Sequence, residues 1–213
     1  MKKRVLNILT IIAFALVIVG CKKGSEATIT EAKDVTNVEA EAKYKAIPDE
    51  SMIIWKANKI VGGHEGTIKV STGIAKTKGN SLVGGNFIFD INSITATDIK
   101  DAGQVAKLEK HLKNEDFFEV EKYPNASFEI TSVEGNKLSG NLMMKGVKKN
   151  ITVPAKVEIK DDYMTISSDV FTIDRTDWNI KYNSGKFADA AKLGDYLIKD
   201  DVELIISVKA KKV

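Results

Sequence analysis

Residues 150–159 read "NITVPAKVEI", and the fold turns on this stretch. Ile151, Val153, Ala155, Val157 and Ile159 stand at every second position, with Asn150, Thr152, Pro154, Lys156 and Glu158 between them. Successive side chains of a strand point to opposite faces, so a period of two describes a strand with one buried face and one wet face. Proline donates no ladder hydrogen bond, and Pro154 on the wet side predicts an edge or a bulge there.

The same period extends outward. "KLSGNLMMKG" (137–146) puts Leu138, Gly140, Leu142 and Met144 in one row, and "ASFEITSV" (126–133) does so with Ala126, Phe128 and Ile130. Near the end, Val202, Leu204, Ile206, Val208 and Ala210 form another row. Further strands are expected at 52–59, 66–72, 82–92 and 163–173. One window breaks the pattern: in residues 101–118, Val105, Leu108 and Leu112 fall at i, i+3 and i+7 behind Asp101, a good helix N-cap. A shorter helix or loop is expected near 186–198. About eight antiparallel strands with one or two short helical insertions predict an all-β barrel or sandwich, and closure would remove exposed edges. An eight-stranded barrel either fills itself or holds one small ligand. Gly140, Ala126, Ala155 and Ala210 on inward rows favour the hollow version.

The N-terminus has a different composition. Residues 1–20 open with Lys2, Lys3 and Arg4, followed by an apolar run to Val19 that is short for a bilayer span and has the layout of a secretory signal. Ile18-Val19-Gly20-Cys21 resembles a bacterial lipobox, in which the cysteine is diacylated after cleavage. Cys21 is the only cysteine, so the mature domain contains no disulfide. The leader holds three of the 32 basic residues and none of the 29 acidic ones, which leaves 29 of each and no basic face for nucleic acid. Residues 21–46, rich in Ala, Glu, Lys and Thr, read as the lipidated cysteine and a flexible tether averaging roughly 25–30 Å end to end, with a helical turn or two within 36–45. Residues 47–213 fit one domain. The reading is of an envelope protein with an N-terminal lipid anchor. Lys22 after the cysteine, in place of the aspartate of inner-membrane retention, favours the outer membrane facing the periplasm.

Catalytic motifs are scarce. The two histidines, His64 and His111, are far apart, and "GGHEG" lacks the second histidine of a zinc site. His64 reads as a turn or rim residue and His111 as a solvated helix residue. "NSGKF" lacks the flanking residues of a phosphate-binding loop. No metal or cofactor is expected. In "FTIDRTDWNIKYNSGKF" (171–187), Arg175 is one of only two arginines; it either meets an anionic ligand group or forms a structural pair with Asp174 or Asp177. In "KNEDFFEVEKYPNASFEI" (113–130), Phe117 and Phe118 stand side by side. Along a strand the two rings cannot share a face, so at least one needs a hydrophobic home elsewhere.

Leu108, Leu112, Asp116, Phe117, Phe118, Tyr123, Pro124, Ala126 and Phe128, followed by Gly140, Leu142, Lys145, Gly146 and Val147, resemble two sequence blocks of the YceI-like family of bacterial exported proteins. The resemblance runs from about Pro48 to Lys211. It implies a lipocalin-like barrel enclosing an elongated apolar ligand of polyisoprenoid or fatty-amide type, with no catalytic reaction. It also implies that one of Phe117 and Phe118 lines or caps the pocket while the other packs under a loop. Phe128, Ile130, Leu142, Met144, Phe171, Ile173, Arg175 and Trp178 complete the candidate ligand-binding set, with Trp178 and Tyr182 near the rim. Barrels sharing a rim could pair as a homodimer. The alternatives are a structural or adhesive envelope protein with a solid barrel, or an enzyme built around His64 or Arg175.

Overall fold

The computed structural model describes residues 24–36 and 38–213, and in it the alternation at 150–159 becomes two collinear strands with different partners. The chain runs β1 (Ser25–Glu26), β2 (Thr28–Glu31), β3 (Ala42–Ala46), β4 (Met52–Lys59), β5 (Gly63–Lys78), β6 (Ser81–Ala96) and helix α1 (Ala102–Lys113). There follow β7 (Asn125–Glu134), β8 (Lys137–Met144), β9 (Val147–Pro154), β10 (Lys156–Lys160), β11 (Tyr163–Ser167) and β12 (Phe171–Asp174). The one-turn helix α2 (Ala190–Leu193) precedes the long strand β13 (Ile198–Lys212).

These strands make one sheet curled on itself. β3 and β4 occupy successive stretches of one row, between β13 and β5. β11 and β12 likewise share the row on the other edge of β13. At Ala155, after the proline, one row changes partner: β9 pairs with β8, and β10 with β11. With β5 to β8 between them, the ring closes in eight rows, although the strand segments number thirteen among the described residues. The difference from the expected eight strands comes from these interruptions, and from an addition at the N-terminus.

Over residues 25–31 that addition corrects the reading of residues 21–46 as the lipidated cysteine and a flexible tether. β10 and β11 pair directly, but farther along β9 pairs on its outer edge with β2, and β12 with β1. Ser25 lies parallel beside Phe171, the Ala27 N–H donates to the Thr172 carbonyl at 2.9 Å, and Ile29 then stands opposite Ile151 on β9. Residues 25–31 therefore form a strand inserted in the seam between β9 and β12. Ala27 is buried in the core and Ile29 packs against it, so this segment too has a period of two. Just beyond, Asn141 holds Lys33 by both backbone groups: its Oδ1 accepts from the N–H at 3.0 Å and its Nδ2 donates to the carbonyl at 2.7 Å. Asn150 Nδ2 in turn donates to Asn141 Oδ1 at 3.0 Å. Residues 42–46 are strand β3 and not the expected helical turn. The signal segment and Cys21 lie outside the described residues.

Helix α1 begins where the pattern places it, with Asp101 Oδ1 accepting from the Gln104 N–H at 2.8 Å. Its buried residue Leu112 joins a cluster with Trp55, Ile68, Ile91, Ile94, Phe117, Val120, Ala126 and Ile180. A second, larger cluster runs through Phe87, Phe128, Ile130, Leu138, Ile151, Ile166 and Val208. The two clusters are the two halves of the barrel interior.

Candidate functional site: an apolar lumen

Between the clusters lies a cavity of about 1300 Å³ of empty space, its mouth included. Its wall is built from the inward rows: Trp55 and Ala57 on β4, Phe87, Phe89 and Ile91 on β6, Ala126 and Phe128 on β7, Leu138, Leu142 and Met144 on β8, and Val202 to Val208 on β13. Leu112 and the turn after α1 supply one end.

Eight of the ten candidate residues border this space: Phe117, Phe118, Phe128, Leu142, Met144, Phe171, Ile173 and Arg175. Ile130 and Trp178 do not. Ile130 is buried in the larger cluster, near the backbone of Gly85. Trp178 is wholly buried in the larger core cluster, and its indole N–H donates to the Leu142 carbonyl at 3.2 Å, so it braces β8 and adds nothing to a rim. The row of β7 that carries Phe128 also carries Ile130, but bordering the lumen depends on depth along the barrel as well as on the face of the strand.

Phe117 and Phe118 both line the lumen, contrary to the expectation of one in and one out. Residues 114–123 form bends and turns and no strand, so adjacent side chains need not oppose each other. The Phe117 ring meets His111 edge-on at 5.0 Å and Tyr182 at 5.3 Å between centroids. His111 is therefore not merely solvated: it is held between Phe117, Tyr182 and Asp116, whose Oδ2 lies 3.1 Å from Nε2. The same turn is fastened to the β8–β9 hairpin. Lys145 Nζ donates to the Glu115 carbonyl at 2.8 Å, and Tyr123 lies against Gly146. Burial pushes the Lys145 ammonium down, against the upward pull of Glu119, Asp116 and Glu115.

Glycine does not create the space in the way the inward rows suggest. A Cβ at Gly140 would overlap the Phe128 ring, which lies across that point of β8. Gly73 is covered by Phe87 in the same manner. These glycines let aromatic rings lie flat against the wall, and the lumen is what remains beyond the rings. Ala126 does border it; Ala155 and Ala210 lie in the surrounding core.

Among the described residues Arg175 is the one charged residue on the wall, and four of its five N–H donors are taken. Nη1 donates to the Ile180 carbonyl at 2.7 Å, Nε to Lys199 at 3.1 Å, and Nη2 to Ile198 at 3.0 Å, with Asp200 Oδ1 at 3.4 Å. Burial pushes its pKa down, and Asp200 and Asp174 oppose that. The fork thus ties the 3-10 turn Arg175–Trp178 to the start of β13. Its pairing partner is Asp200, neither Asp174 nor Asp177. His64 sits on β5 near the barrel rim with Nδ1 3.0 Å from Asp98 Oδ2. Burial raises the Asp98 carboxyl, but the hydrogen bonds from His64 and the Glu65 N–H outweigh it and hold the group below the usual range. Neither His64 nor His111 borders the lumen.

The fold and the lumen define a class: a closed antiparallel barrel, lipocalin-like, with a hydrocarbon-lined interior. The YceI-like domain matches residues 44–210, and the chain belongs to that family. It is 33% identical over 144 residues to protein YceI of Salmonella arizonae, covering 59% of this chain and 68% of that one. It is 30% identical over 141 residues to a UPF0312 protein of Pseudomonas aeruginosa, with the same coverage. Among solved structures, BcnA of Burkholderia cenocepacia superposes with a TM-score of 0.60 at 21% identity, over 76% of this chain and 98% of that one. A polyisoprenoid binding domain from Saccharophagus degradans does so with 0.58 at 14% identity, over 80% and 98%. Strands β1 and β2 precede the matched family domain.

Proposed function

We propose that this protein binds an elongated apolar molecule of polyisoprenoid or fatty-amide type inside its barrel, without catalysis, and holds or passes it on at a bacterial envelope membrane. The observation that carries the reading is the lumen walled by hydrocarbon, with the one charged residue on its described wall already bonded to the protein. The polyisoprenoid binding of the Saccharophagus domain of the same fold lends support. Each methylene buried contributes about 0.8 kcal/mol, so chain burial is the term that must outweigh association costs of roughly 4–15 kcal/mol. A solid structural barrel finds no support in this interior.

The anchor is part of the proposal. With Cys21 diacylated, four residue steps of at most about 3.6 Å separate it from Ser25 in the seam, so the barrel stands within roughly 14 Å of its anchor and not at the end of a long tether. Two acyl chains give durable attachment, here to the periplasmic face of the outer membrane. The test is to purify the full chain from bacterial envelopes under mild conditions and analyse an organic extract by mass spectrometry. A co-purifying isoprenoid or fatty lipid in near-equimolar amount is expected. Protein that emerges empty, and that takes up no such lipid when offered, would sink the proposal.

A further inference from the structure

Among the described residues eight large apolar side chains are exposed, and four of them, Ile60, Val61, Phe187 and Tyr196, belong to one end of the barrel. Ile60 and Val61 form the tip of the β4–β5 hairpin, 57% and 71% exposed. Lys59, just before them, pairs with Ile198, the first residue of β13. The Ile198 N–H donates to the Asn183 carbonyl at 2.9 Å, and Asn183 Nδ2 donates to the Tyr196 carbonyl at 3.1 Å. Phe187 follows on the same loop, with Lys181 Nζ 4.5 Å from the centre of its ring. The hairpin tip and this loop thus share the end of the barrel that α1 and Phe117 close, and the lumen wall reaches that end at Ala57, Ile180 and Ile198. A single exposed apolar side chain needs no explanation, but four gathered on adjoining loops mark an interaction site. Two β-branched apolar residues at a turn also serve no local geometry, since turns are built from Gly, Asn, Asp and Pro.

Charge is unevenly spread too. Residues 21–213 hold equal numbers of basic and acidic side chains, yet the segments 58–63 and 179–199 hold five lysines against two aspartates. Lys186 answers Asp174 and Lys192 answers Asp189, so Lys59, Lys181 and Lys199 have no ion pair among the described residues. We infer that this end of the barrel is a docking surface for an anionic bilayer. Ile60, Val61, Phe187 and Tyr196 enter the boundary between headgroups and acyl chains, while Lys59, Lys181 and Lys199 meet lipid phosphates. Apolar and aromatic tips interspersed with lysine suit that boundary, where hydrocarbon and charged headgroups meet. Protein interfaces are poor in lysine, which argues against a protein partner. Docked in this way, the lumen end at Ala57 and Ile198 faces the membrane, the source and destination of the cargo; that last step rests on lipid binding by the lumen, whereas the surface itself does not.

The test uses the full chain from residue 21, made with Cys21→Ser so that no acyl chain holds it, in flotation with vesicles of phosphatidylcholine with or without phosphatidylglycerol. The parent is expected to bind the anionic vesicles more tightly than the neutral ones. Ile60→Ser with Val61→Ser, and separately Phe187→Ser with Tyr196→Ser, should each weaken that binding by about tenfold or more, the effect of withdrawing two apolar side chains from the bilayer. Melting temperatures should stay as they were, because these side chains are exposed. Replacing Lys59, Lys181 and Lys199 by glutamine should remove the preference for phosphatidylglycerol. Tyr163→Ser is the control: the residue is 41% exposed but pairs with Lys211 at the far end of the barrel, and binding should be unchanged. A parent that leaves both kinds of vesicle unbound would overturn the inference, as would tips whose loss matters no more than that of Tyr163. Organic extracts of the same preparations separate this inference from the lumen's role: cargo without vesicle binding sinks the docking surface alone, and vesicle binding without cargo upholds it and sinks lipid carriage alone.

Discussion

Substituting Ala27 by aspartate asks how much the seam strand contributes. The residue is 5% exposed, its N–H donates to Thr172, and its methyl group lies in the core between β9 and β12. An ionised carboxylate there cannot be buried without a partner, so residues 25–31 will leave the seam instead. The cost is then the net free energy of docking that segment. Four register pairs with β9, two with β12 and the Asn141 clasp amount to roughly 6–8 kcal/mol at about 1 kcal/mol per bond. Ala27 and Ile29 add about 2–3 kcal/mol of burial. Ordering the backbone of the nine residues 25–33, at roughly 1 kcal/mol or more each, opposes most of this. The expected loss in urea denaturation is therefore small, about 1–3 kcal/mol, because β10–β11 still closes the ring. Hydrogen exchange should show amides 27–33 unprotected while β5 to β8 keep their protection, and a bound lipid should leave faster through the opened wall beside Ile151 and Phe171. A loss above about 5 kcal/mol with global exchange would refute the docked-segment account, as would unchanged protection at 27–33.

Three further outcomes are expected. Arg175→Lys replaces a fork by a single point donor and strands backbone carbonyls of Ile180, Ile198 and Lys199; a loss of about 2–4 kcal/mol in urea is expected, with the lipid profile of the surviving protein unchanged, and an altered profile would make Arg175 a ligand contact after all. Gly140→Ala pushes the Phe128 ring toward the lumen, which should cost about 1–3 kcal/mol and shorten the longest chain taken up in a competition series; uptake of equally long chains would contradict the placement of that ring. At Asp174, burial raises the carboxyl, but Lys186 and the hydroxyl and N–H of Thr176 hold it below its usual value, so its stabilisation is present above about pH 4 and is lost as pH falls through the ordinary carboxylate range toward the lower folded value. Denaturation midpoints of the parent and Asp174→Asn should therefore converge between pH 5 and about pH 3, and a gap independent of pH would exclude this linkage.

Much of the barrel was legible because its rows obey one rule. Met52–Lys59, the β7–β8 and β8–β9 hairpins and β13 lie where period two puts them, and Asp101 caps the helix it was expected to cap. The same rule could have named Phe87, Phe89 and Ile91 as lumen residues, since they alternate on β6 within the expected 82–92. What period two cannot convey is depth. Ile130 and Phe128 share a face, yet only one reaches the lumen. Nor can local spacing report where a guanidinium's acceptors lie. The carbonyls that hold Arg175 belong to residues 180, 198 and 199, brought near by the return of the chain into β13.

The seam strand was missed for a more instructive reason. Ala27 and Ile29 carry the right alternation, but two small steps among Thr, Glu and Lys are too short a run to outweigh a polar composition. What makes them a strand is demand elsewhere: the row of β9 turns to β10 at Ala155 and leaves edges on both β9 and β12, whose N–H and C=O groups need partners. A segment with weak intrinsic preference is recruited because a barrel cannot leave that gap dry and unpaired. The order of elements then has a functional consequence. The residues that complete the wall are those next to the proposed lipid anchor, so any force on the anchor acts first on the seam strand.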